Sequence, residues 1–85
     1  MASVEVYTTP YCPYCVAAKD LLRRKGVDFV EINVAGDRDL RTKMEARAGG
    51  RMTVPQIFIG ETHVGGCDDL YALDGEGGLD ALLAR

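Results

Sequence analysis

The chain has no tryptophan, one histidine, three prolines and three cysteines among its 85 residues. Three cysteines, at positions 12, 15 and 67, are too few and too unevenly placed for the disulfide framework of a small secreted domain, so a reducing compartment is expected. A metal centre is equally short of ligands, because beyond Cys12 and Cys15 only Cys67 and His63 remain and they are not spaced as a second pair. Basic charge is not in excess either. A net charge of −3 argues against non-specific nucleic-acid binding, which needs a clustered basic surface. The start, Met1-Ala2-Ser3-Val4-Glu5, carries neither a basic stretch nor an apolar run, so neither a signal peptide nor a membrane span is expected, and the cytoplasm is the expected location. There is no repeat, linker or low-complexity segment. With 47% hydrophobic residues, one domain over residues 1–85 is expected, with a modest core.

What the sequence does have is Cys12-Pro13-Tyr14-Cys15, set between a strand-like run and a helix-like one. Backbone N–H groups at a helix start have no intrahelical partner, and helix N-termini favour the thiolate form of a cysteine. Cys12 is therefore the expected nucleophile. Cys15, three residues on, falls on the same helical face one turn deeper, where it can resolve what Cys12 attacks. Pro13 suits the first helical turn, since its missing N–H would have been unpaired there. Tyr14 offers a flat, polar-edged surface beside the sulfur. Two other readings compete, half of a zinc site and a structural staple. The first lacks ligands, and the second would close too short a loop to add much chain-entropy stabilisation.

Along the chain, Val4, Val6 and Thr8 alternate with Glu5 and Tyr7 and read as a first strand that stops at Thr9-Pro10. Pro13 to Lys25 is an amphipathic helix with Cys15, Ala18, Leu21 and Leu22 inward, ended by Gly26. Phe29 to Val34 predicts a second strand with Val30, Ile32 and Val34 on one face. Strand, helix, strand suggests a parallel unit. Asp37 is placed to cap a second helix running to about Ala48, with Leu40 and Met44 inward, Arg38, Arg41 and Arg47 outward, and Gly49-Gly50 as the stop. Gln56 to Ile59, Gly60-Glu61 and Thr62 to Val64 predict a hairpin on a type II′ turn. A third helix begins near Cys67, with Asp68 or Asp69 as a cap, and Leu79 to Leu83 forms a last turn or two.

Three stretches, Cys12 to Cys15, Thr53-Val54-Pro55 and Gly65-Gly66-Cys67-Asp68-Asp69, together resemble the dithiol glutaredoxins, bacterial class I in particular. The likeness covers nearly the whole chain. It implies an α/β, thioredoxin-like fold, a four-stranded mixed sheet flanked by three or more helices. It implies a glutathione-dependent thiol–disulfide oxidoreductase acting on protein disulfides and glutathione mixed disulfides, with glutathione as co-substrate, no bound cofactor, no metal, and a monomeric state. In the family the proline at position 55 is cis and faces the cysteines, and the backbone of Val54, next to Thr53, pairs with the cysteinyl part of glutathione. The γ-glutamyl carboxylate meets the backbone near Gly66, Cys67 and Asp68, and the Asp68 side chain meets the ammonium group. Tyr14 flanks the ligand. Many relatives carry lysine where this chain has Thr9; the cation for the glycine carboxylate then aligns best with Arg41, with Arg38 and Arg51 as alternatives.

Two rival functions stand beside this reading. Some glutaredoxins bridge a [2Fe–2S] cluster between subunits, but those usually have glycine or serine where this chain has Pro13. A redoxin served by thioredoxin reductase would have no use for Asp68 and the glycines before it. His63, alone on a short strand, is expected at the surface, and Cys67 is expected to be a small packed thiol.

Overall fold

Period-two alternation along the first strand divides the molecule into layers. In the computed structural model, which describes residues 2–85, β1 (Val4–Thr8) turns Val4 and Val6 to one face and Tyr7 to the other. α1 (Pro13–Arg24) then carries the chain to β2 (Val30–Asn33), which pairs parallel to β1 with Tyr7 beside Ile32. After α2 (Arg38–Arg47), β3 (Gln56–Ile59) returns antiparallel to β1, Val6 beside Ile57, and β4 (Thr62–Gly65) pairs antiparallel to β3. The sheet order is β2-β1-β3-β4. α3 (Cys67–Gly75) and α4 (Gly78–Leu83) complete the chain. The four-stranded mixed sheet and its helices match the expected fold class.

Each sheet face has its own core. Val4, Val6, Ile57 and Ile59 meet Ala18, Leu21 and Leu22 of α1, Leu70 of α3 and Leu79 and Leu83 of α4. Tyr7 and Phe58 meet Met44 and Ala48 near α2, together with Val34. A leucine fully buried in this way contributes about 1.5–3 kcal/mol over its exposed state. Helix ends are secured locally. Asp37 accepts the Leu40 N–H at 3.0 Å, as expected of a cap, and Lys25 at the end of α1 reaches Asp74 at 2.6 Å and Asp80 at 3.1 Å, tying α1 to α3 and α4. In the hairpin, Gly60 has φ +59° while among the described residues no non-glycine has a positive φ, as a type II′ turn requires.

Two expectations about facing are corrected. Val30 is 62% exposed although it alternates with Ile32 and Val34; β2 is an edge strand, and the α2 cluster reaches Ile32 and Val34 without extending to Val30. Arg47 does not point outward. Its guanidinium lies 4.1 Å from the Phe58 ring centroid, donates to both Glu5 carboxylate oxygens at 3.1 and 3.2 Å, and donates to the Tyr7 hydroxyl at 3.0 Å. Stacking on an aromatic face and a bidentate carboxylate hold it against the sheet.

Candidate active site

The site begins where β1 ends. Cys12 is the N-cap of α1 with extended backbone (φ −98°, ψ 113°), and Pro13 occupies the first turn. The Cys12 carbonyl accepts the N–H groups of Cys15 at 3.1 Å and Val16 at 3.2 Å, which closes the first turn and brings Cys15 beneath Cys12. The two thiols differ in setting. Cys12 is partly exposed, whereas Cys15 is 1% exposed, and both are free thiols. Burial pushes the Cys15 thiol up to about 11; a backbone hydrogen bond from Thr9 opposes the rise, the adjacent Cys12 adds to it, and Lys19 opposes it more weakly. A partly accessible sulfur thus lies over an enclosed one held protonated.

A groove of about 150 Å³ runs beside the pair. Thr53, Val54 and Pro55 line one side, Gly66, Cys67 and Asp68 the other, and Tyr14, 63% exposed, borders it. The Cys12 thiol donates to the Val54 carbonyl at 3.7 Å, so the loop before β3 sits directly against the accessible sulfur. The Val54–Pro55 peptide is cis. Across the groove, the N–H groups of Cys67 and Asp68 open α3 and precede any intrahelical acceptor. The Gly66 N–H is already used, donating to Asp69 at 2.9 Å. Cys67 is buried, as expected of a packed thiol, and burial first, then Asp68 and Cys12, raise its pKa.

The glutaredoxin family model matches this sequence over residues 4–64. The chain belongs to the glutaredoxin family. It is a glutathione-dependent thiol–disulfide oxidoreductase with a dithiol Cys12/Cys15 pair. It is 62% identical over 84 residues to a glutaredoxin of Pseudomonas aeruginosa, covering 99% of each chain. Its fold is similar to the solution structure of glutaredoxin from Brucella melitensis, at 59% identity and TM-score 0.86, covering 98% of this chain and 89% of that one. A buckwheat glutaredoxin–glutathione complex superposes with TM-score 0.88 at 29% identity, covering 98% of this chain and 77% of that one.

Placed in this glutaredoxin, the residues named from sequence converge with one exception. Tyr14, Thr53, Val54, Pro55, Gly66, Cys67 and Asp68 line the groove, Cys12 meets it through Val54, and Cys15 lies buried one turn below Cys12. Arg41 is not among the groove's lining. It borders a neighbouring concavity with Asp37, Arg38 and Glu45, and its guanidinium donates to the Met52 carbonyl at 3.2 Å, one residue before Thr53. Arg51 lines the groove instead, already paired with Asp69 at 2.9 Å. The Asp69 carboxylate therefore caps α3 through Gly66 and anchors Arg51 at once, and both contacts hold it below the usual carboxylate range.

A support chain behind Thr53 escaped the sequence reading. Gln56, fully buried, donates to the Thr53 carbonyl at 2.9 Å and to its hydroxyl at 3.2 Å. Its amide oxygen is left to accept, so the proton of His63 sits on Nε2, 2.7 Å away. His63 is thus half-buried rather than at the surface, stacked on Phe58 with ring centroids 4.9 Å apart. The available signal was Gln56 itself, a polar residue inside an otherwise apolar strand, which needs partners when buried. Among the described residues, no three His, Cys, Asp or Glu side chains are grouped to hold a metal ion. No described helix is long and apolar enough to cross a membrane.

Proposed function

We propose that Cys12 is the nucleophile, Cys15 the resolving thiol, and the groove beside them the glutathione site. On a glutathionylated protein, the Cys12 thiolate attacks the glutathione sulfur, the protein thiol leaves, and glutathione stays on Cys12. A second glutathione attacks that adduct, leaves as oxidised glutathione and frees Cys12. On a protein disulfide, Cys12 forms the mixed disulfide, Cys15 displaces the substrate, and glutathione reduces the Cys12–Cys15 bond. Glutaredoxin potentials of about −200 to −230 mV, less reducing than the roughly −270 mV of thioredoxin, suit that donor.

Glutathione lies with its cysteinyl backbone against Val54 and its γ-glutamyl carboxylate on the N–H groups of Cys67 and Asp68, where a helix N-terminus favours an anion. Asp68 meets the ammonium group. Gly66 contributes close approach of the backbone rather than a donor, its N–H being taken by Asp69. Tyr14 and Thr53 flank the ligand, and Arg41, held at the Met52 end beside Thr53, takes the glycine carboxylate. The observation that carries this reading is the Cys12 thiol lying 3.7 Å from the Val54 carbonyl, at the edge of a groove that also receives the start of α3. The glutathione held by the buckwheat relative supports it.

The protein substrates are disulfide-containing or glutathionylated proteins. The enzyme acts as a monomer of one domain, residues 1–85, in the cytoplasm, without nucleic acid or membrane as partner; its three free thiols and charge of −3 support that setting. Titration with glutathione followed by NMR tests the site. Shifts should concentrate at Thr53 to Pro55 and Gly65 to Asp69, and their absence there removes the assignment.

A further inference from the structure

Resolution sets a problem that the groove does not solve. Cys15 must lose its proton to attack the Cys12 sulfur, yet it is 1% exposed, and desolvation disfavours a thiolate. A cation stands on the same helix. Lys19 follows Cys15 at i,i+4, the spacing at which helical side chains meet, and is itself only 18% exposed. Its Nζ lies 2.9 Å from Glu31 Oε2, and that same oxygen accepts the Thr8 hydroxyl at 2.7 Å. Thr8 is 1% exposed and ends β1, and the backbone of the next residue, Thr9, favours the Cys15 thiolate. One carboxylate therefore joins α1, β2 and the end of β1, one helical turn from the buried thiol.

We propose that Lys19, held in place by Glu31 and Thr8, is a positioning residue for the resolving step, its ammonium stabilising the negative charge on Cys15 as that sulfur attacks. The proposal rests on Cys15 being the resolving thiol. In the step, Cys15 loses its proton and its sulfur attacks Cys12, which is joined to the substrate sulfur; the Cys12–Cys15 bond forms, the Cys12–substrate bond breaks, and the departing thiolate takes up a proton. The mixed disulfide is the oxidant, and no other is needed. Cys12 on the same turn opposes ionisation of Cys15. From β2, Glu31 acts through Lys19, with Arg23 nearby. From α3 come Tyr71, whose hydroxyl donates to the Ala17 carbonyl, and Cys67, which senses Cys12.

A neutral residue in place of Lys19 reduces the Cys15 thiolate. If ionisation becomes tenfold harder, each thiolate is also roughly threefold more nucleophilic, because nucleophilicity rises with basicity at a slope of about 0.4–0.5, leaving closure about threefold slower near pH 7. The test mixes reduced protein with excess oxidised glutathione, quenches with acid at set times, and follows the Cys12–glutathione adduct and the Cys12–Cys15 disulfide by mass. Lys19→Met should slow closure about threefold at pH 7 and move its pH profile upward, and Lys19→Arg should restore both. Glu31→Gln should slow closure by a smaller factor. In a Cys15→Ser background, Lys19→Met should leave deglutathionylation unchanged, since that needs Cys12 alone. A closure pH profile unmoved by Lys19→Met overturns the proposal, whatever happens to the melting temperature. If instead Cys15→Ser reduces protein disulfides as fast as the parent, the resolving assignment itself fails.

Discussion

Gly65 is the residue whose replacement the structure prices most clearly. Its φ is +117°, outside the regions open to side chains, and a Cβ there would strike the Asp69 carboxylate and lie 2.8 Å from the Arg51 guanidinium. Gly65→Ala thus forces a backbone strain of about 1–3 kcal/mol and displaces the carboxylate that caps α3 through Gly66, a further loss of about 0.5–2 kcal/mol. The sum, about 1.5–5 kcal/mol, lowers the melting temperature of a domain this size by roughly 6–40 °C. Calorimetry measures it. A double-mutant cycle separates the two parts. Asp69→Ala alone loses the cap and the Arg51 pair, but Gly65→Ala on top of it meets no carboxylate, so the combined loss should fall short of the sum. A fall below about 3 °C for Gly65→Ala, or strict additivity in the cycle, would refute the reasoning.

Asp68→Ala should raise KM for a glutathionylated substrate several-fold while leaving Cys12 alkylation by iodoacetamide unchanged, since it removes a ligand contact and not the nucleophile; equal loss in both would mean a folding defect. Met44→Ala, at the centre of the α2 core and fully buried, should cost about 2–5 kcal/mol in denaturant unfolding without altering the Cys12/Cys15 division of labour. His63 gives a pH signature. Burial first, then Arg51 and Arg47, holds its imidazole below the ordinary range, with Asp69 opposing. The unfolded chain therefore binds that proton more readily, and the parent should lose stability as pH falls below about 6.5, down to the depressed native value. Denaturant midpoints of the parent and of His63→Gln between pH 5 and 8 should diverge in that window, and parallel curves would count against it.

Much of this site was legible in the sequence because its parts are local. The Cys12–Cys15 turn needs only a strand stop, a proline and a helix start, and the Gly65-Gly66 approach to α3 is likewise contiguous. What was not legible joins residues far apart. Arg47 meets Glu5, Tyr7 and Phe58 because α2 lies across the sheet, which no periodicity within α2 encodes. Arg51 enters the sequence reading only as an alternative to Arg41, because its pairing with Asp69, eighteen residues on, is not encoded locally. Val30 follows the alternation of its strand but lies beyond the helix that would have covered it, since burial depends on the neighbour as well as on the pattern.

The central claim is the division of labour between the partly exposed Cys12 and the buried Cys15, and mass spectrometry of serine variants treated with oxidised glutathione tests it most directly. Cys15→Ser should carry one glutathione, on Cys12, and retain deglutathionylation while losing reduction of substrates that require the Cys12–Cys15 disulfide. Cys12→Ser should lose both activities. An adduct mapped to Cys67 in place of Cys12, or deglutathionylation that survives Cys12→Ser and disappears in Cys15→Ser, would contradict the account.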